Sequence, residues 1–159
     1  MRRQVSSSLI AMLAVASPAP AQDVSVPVGT LICTLARTGE DTVTPPSQVR
    51  DVACVFRRDD SAVEESYAGR VRMVSAEGQG LTGVHVLSWT VRAPVSEVAS
   101  AGALQQVYSG ETKAAAAADQ VISSLAGDAN TLITLHALGS GSSRGTVTIV
   151  ELKLKSAPA

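Results

Sequence analysis

The residues of this 159-residue chain that could do chemistry are few: two cysteines, two histidines, and scattered serines and carboxylates. Cys33 lies in Val28-Gly-Thr-Leu-Ile-Cys33-Thr-Leu and Cys54 in Asp51-Val-Ala-Cys54-Val-Phe56. Their separation is not the C-x-x-C spacing of redox or metal motifs. A zinc site built from Cys33, Cys54, His85 and His136 would need four distant residues to converge through the fold alone. Two cysteines with none left over is the arithmetic of a single disulfide, provided the compartment is oxidising.

Neither histidine has a carboxylate or thiol beside it in sequence. His85 alternates in phase with Leu87 and Trp89, the pattern of a buried or edge histidine. Trp89 and His85 are the candidate lining of a ligand pocket, although Trp89 reads first as the largest core side chain of an aromatic-poor chain. Two motif matches fail on context. Gly78-Gln-Gly80-Leu-Thr-Gly83, with Glu97 downstream, fits the dinucleotide fingerprint, but a strand pattern follows where a helix N-terminus must hold the pyrophosphate. Gly141-Ser-Ser143-Arg-Gly145 fits the nucleophile elbow, yet a strand pattern follows the serine, and no Asp or His occurs after it. Asp59-Asp60 and Glu64-Glu65 flank Ser61 without the spaced ligands of a calcium loop, which favours a solvated turn. No catalytic, cofactor-binding or metal-ligating residue is expected, and with them no cofactor.

The first residues set the compartment. Arg2-Arg3, the uncharged run Leu9–Ala16 and Ala19-Pro20-Ala21 have the layout of a cleavable secretory signal over residues 1–21, cut between Ala21 and Gln22. The apolar run is far short of the ~20 residues that span a bilayer, so the mature chain is expected to hold no transmembrane segment. The paired arginines alone do not decide between the general and the twin-arginine export routes. The leader has a bacterial look, which places residues 22–156 in the Gram-negative periplasm or outside the cell as a single domain. In that compartment Cys33 and Cys54 are expected to be bridged.

The elements that must position these residues are strands. Apolar residues recur with a period of two, the mark of half-buried strands. Leu31, Cys33 and Leu35 share one face, as do Val52, Cys54 and Phe56. Tyr67, Val71 and Met73 are expected inward, with Arg70 and Arg72 outward. Leu87, Trp89 and Val91 form another inner face, ended by Pro94. Val107-Tyr108 and 131–138 are further strands. In 146–155, Val150, Leu152 and Leu154 read inward, and Glu151, Lys153 and Lys155 outward. The expected fold is all-β: one β-sandwich or small barrel of about seven to nine short antiparallel strands. Residues 112–127 carry a competing signal, because Thr112 and Gly127 bracket an alanine-rich stretch like helix caps, so one short helix near 113–126 stays open.

The net charge is −1 with the signs interspersed, so nucleic acid is not an implied partner. Phe56, Tyr67, Trp89 and Tyr108 are all the aromatics, too few for the girdles of an outer-membrane barrel. The order of several landmarks is similar to a family of small secreted bacterial proteins, domain of unknown function 992. They are Val28-Gly-Thr-Leu-x-Cys33, Val52-x-Cys54-x-Phe56, Tyr67-x-Gly69-x-Val71, Trp89-x-Val91-x-Ala93-Pro94, Leu104 and Tyr108-x-Gly110. The chain departs from that pattern at Gly80–Gly83, which lacks an acidic residue, and at Ala114–Ala118, where a Gly-rich run is usual. The resemblance implies a secreted, disulfide-stapled β domain and carries no functional residue. The functional expectation is a non-enzymatic envelope protein that binds a partner or small ligand or has a structural role. The alternatives are a small-molecule carrier with a pocket beside Trp89, and a hydrolase built on His85 or His136 with Ser143 or a carboxylate.

Overall fold

The structure is a computed structural model that describes residues 24–36, 47–75, 85–110, 124–138 and 147–157. Eight strands follow in chain order: β1 (Val26–Leu35), β2 (Ser47–Arg58), β3 (Glu64–Ser75), β4 (Val86–Ala93), β5 (Val107–Gly110), β6 (Leu125–Ala126), β7 (Thr134–Ala137) and β8 (Val147–Ser156). They pair antiparallel in the order β1-β2-β3-β8-β5-β6-β7-β4, and β4 returns to β1 to close a barrel. Closure satisfies the backbone groups that an open sheet would leave on its edges. Of the two architectures expected, the molecule adopts the barrel.

Alternation places the core. Leu31, Cys33 and Leu35 from β1 face Phe56, Cys54 and Val52 from β2 at directly opposed positions. Across the other side of β1, Leu31 stands opposite Trp89. Tyr67, Val71 and Met73 continue the lining on β3, and Val91, Ala93, Tyr108, Leu125, Leu135, Leu152 and Leu154 complete it. Leu87 packs against this core while partly buried.

Two expectations are corrected. Val150 is not an interior residue: Arg72 pairs with Glu151 and Met73 with Ile149, so Val150 is the extra residue of a β-bulge. The bulge resets the alternation, and Ile149 takes the inward position at 9% exposure. The helix near 113–126 does not extend to its proposed end. Leu125 and Ala126 form β6, paired to β5 and β7, and the Gly127 amide donates to the Ile133 carbonyl. Residues 111–123 lie outside the described residues. The strand expected over 131–138 is shorter, Thr134–Ala137.

One barrel end is shut by the connection from β4 to β5. Pro94 stops β4, a 3-10 turn spans Val95–Val98, and Val98 and Leu104 are buried beneath it. Gly102 turns this connection at φ 80°, a left-handed conformation that glycine adopts without penalty.

Candidate functional site

The staple is where the sequence put it. Cys33 and Cys54 are directly opposed on β1 and β2 and joined by a disulfide, with Cα atoms 4.0 Å apart. Both sulfurs' residues are buried, at 0% and 2% exposure, so the bridge is part of the core.

The interior also holds polar chemistry at its shut end. The Tyr67 hydroxyl donates to Glu65 Oε2 at 2.6 Å, and the Gly102 amide donates to the same oxygen at 2.9 Å. The Leu104 amide reaches the Tyr67 oxygen at 3.4 Å, and the Tyr108 hydroxyl donates to the Leu104 carbonyl at 3.2 Å. This chain of bonds ties the β4–β5 connection to β3 and β5. Burial pushes both phenols well above the ordinary tyrosine value, and for Tyr67 the neighbouring Glu65 carboxylate adds to the rise. Their partners are backbone groups, the Glu65 carboxylate and, for Tyr108, the Gln106 side chain, the arrangement of a structural plug. A second buried polar group, Arg50, is inward on β2 at 3% exposure, and its guanidinium donates to the Ala36 carbonyl. Burial lowers its pKa, because desolvation disfavours the cation.

The remaining candidates are dispersed. Trp89 is 1% exposed, opposite Leu31 on one side and Ala137 on the other. His85 is half-buried just before β4, where its carbonyl accepts from the Leu35 amide at 2.9 Å. Four residues of extended chain separate the two by about 13 Å, so they do not share one pocket wall at close range. His136 sits on the outer wall of β7, 3.3 Å from the Thr134 hydroxyl. Three of the four acids between Asp59 and Glu65 are engaged through their carboxylates at the β2–β3 hairpin. Asp60 pairs with Arg58 at 3.0 Å and Glu64 with Arg57 at 2.6 Å, while Glu65 joins the tyrosine plug. The hydrogen bond from Arg58 holds the Asp60 carboxyl below its ordinary value. Ala21, Gln22, Ser143 and the Gly78–Gly83 motif lie outside the described residues.

The outer wall is divided by charge. Across β2, β3 and β8, register brings Asp51, Arg70 and Lys153 into one row, and Ala53, Ala68 and Lys155 into the next. Arg70 reaches Asp51 at 3.2 Å and Arg72 reaches Glu151 at 3.4 Å. Over β1, β4 and β7 the corresponding rows hold Thr30, Thr90 and His136, then Ile32 and Ser88, a wall poor in charge. Sequence reading placed Arg70, Arg72, Glu151, Lys153 and Lys155 outward but not their grouping, since pairing between distant strands has no local signal. Arg50 was legible in principle, being in phase with Val52, Cys54 and Phe56.

The landmarks of the family resemblance are core positions. Cys33, Cys54, Phe56, Tyr67, Val71, Trp89, Val91, Ala93, Leu104 and Tyr108 are all at most 2% exposed. At Gly69 an added Cβ would stand 1.9 Å from the Lys153 carbonyl oxygen. These core landmarks line the inside of the barrel. No curated protein and no solved structure matches the chain. A family model described as Protein of unknown function (DUF992) matches residues 12–155, most of the chain, and the chain belongs to that family.

Proposed function

We propose that this protein is an exported, non-catalytic binding domain of the bacterial envelope that meets its partner with the outside of the barrel. The observation that carries the reading is the filled interior: Trp89, Tyr67, Tyr108 and Phe56 are all at most 2% exposed and pack with the aliphatic core. A barrel of eight strands has an interior just wide enough for side chains to fill or for one small ligand to occupy, and here the side chains take that space. A disulfide inside the core suits an oxidising compartment. No helix among the described residues is long and apolar enough to cross a membrane. The leader-like residues 1–21 supply the route of export.

The single tryptophan gives the test. Trp89 emission in the purified protein is expected to be blue-shifted, weakly quenched by acrylamide, and unchanged on titration with medium-chain fatty acid. A saturable change in Trp89 emission with the fatty acid would replace this reading with that of a small-molecule carrier.

A further inference from the structure

Between β2, β3 and β8 the outer wall is indented. The small residues Ala68 and Gly69 floor a cleft of about 440 Å³, bordered by Asp51, Arg70, Lys153, Lys155 and Ser156. The floor is low because the outward residue of β3 at this point, Ala68, ends at a methyl group. Gly69, in the inward phase of Tyr67 and Val71, lies where the β8 backbone leaves no room for a Cβ. Ala68 stands directly opposite Lys155, which leaves the lysine beside a gap instead of a neighbour of equal length.

The charges around this cleft are arranged at a cost. Arg70 is directly opposite Lys153, and like charges at opposed positions destabilise a sheet. Lys155 follows on the same face, about 7 Å along the strand. Asp51 offsets one of the three cations through its 3.2 Å contact with Arg70. Among the described residues neither lysine has an ion-pair partner. Three cations and one anion leave a local charge of +2 on a chain whose net charge is −1. The Ser156 hydroxyl at the border donates to Gln105 Oε1 at 3.1 Å, so it closes the cleft and does not contribute a donor.

We infer that this cleft binds a phosphorylated small molecule bearing a diphosphate or an equivalent pair of phosphate charges. Arg70, Lys153 and Lys155 occupy neighbouring outward positions on β3 and β8. Long cationic side chains rooted so close together suit several phosphate oxygens, with lysines as point charges and arginine as a fork. The cleft is of ligand-pocket size, on the order of 300–1,000 Å³, which leaves room for a sugar- or glycerol-sized group beyond the phosphates. The inference rests on the reading of the outer wall as the working surface, and it names the chemistry that surface takes.

The test is calorimetric titration of the purified protein with inorganic pyrophosphate at low ionic strength. Saturable 1:1 binding is expected, weakened at least about 10-fold in K153Q/K155Q, strengthened about 3-fold in D51N, and unchanged in R57Q at the far hairpin. All four positions are exposed, so the variants keep the fold. Absence of saturable binding, or equal affinity in K153Q/K155Q, overturns the proposal. Two further arms separate the sources of the phosphate. Co-sedimentation with phosphatidylglycerol vesicles that pyrophosphate and K153Q/K155Q both abolish supports a lipid headgroup. Competition by glucose 1-phosphate without vesicle binding supports a soluble sugar phosphate. Vesicle binding indifferent to both the competitor and the variant overturns a discrete site. Failure here removes the ligand class, whereas the Trp89 titration separately decides between outer wall and interior.

Discussion

Tyr67 and Tyr108 are the only tyrosines in the chain, and both are buried in the plug at the shut end of the barrel. Y67F removes the donor to Glu65 and leaves that carboxylate with the Gly102 amide alone; a loss of about 1.5–3 kcal/mol is expected in urea denaturation, the range for a hydrogen bond to a charged group. The alkaline limb of stability follows from the same residues. Their folded pKa values are raised, so the folded state holds these protons more tightly than the unfolded state. That contribution is fully present below the unfolded value near ~10 and is lost as pH rises above it, with a slope of up to ~1.4 kcal/mol per pH unit per tyrosine. In a rapid jump to alkaline pH, absorbance at 295 nm should rise with the rate of unfolding and not within the mixing time. An immediate rise would mean that the phenols are open to solvent.

Strand β3 is the element on which both the core and the outer cleft depend. A Cβ at Gly69 meets the β8 backbone, and a backbone atom cannot swing aside as a side chain can. G69A is therefore expected to cost on the order of 3 kcal/mol by forcing β3 from β8. The β1–β2 staple is of similar weight. It closes a loop with a sequence separation of 21, worth about 3 kcal/mol in the chain-entropy model, and C33A/C54A should lose about that amount in the same assay. Much at this scale was legible in the sequence. Alternation assigned the inner faces of β1 to β4, and the cysteines announced their pairing by sharing the core phase. Val150 was misplaced because a bulge leaves the residue order intact while shifting the face. The two-residue β6 has no pattern of its own; it exists because β5 and β7 hold it from both sides. Lys153 and Lys155 read as solvated charges, and only the β3–β8 register sets Arg70 beside them.

For the whole molecule, closure is the organising fact. The β1–β4 ladder runs from Val26↔Ala93 to Thr34↔Val86 and removes the last sheet edge. The described core side chains occupy the interior. Charge is gathered on the outer wall over β2, β3 and β8 and sparse over β1, β4 and β7, the wall to which the proposed function assigns recognition. Cys33, Cys54, Phe56, Tyr67, Trp89 and Tyr108 keep the fold from inside, while the charges of β2, β3 and β8 lie on the outside. If the protein is an exported barrel held by one buried staple, its intact mass reports both properties at once. Measured on protein isolated from the periplasm, before and after reduction and alkylation, it is expected to show a chain that begins at Gln22 and takes up two alkyl groups only after unfolding and reduction. A chain that keeps residues 1–21, with both cysteines alkylated without reductant, would contradict this reading.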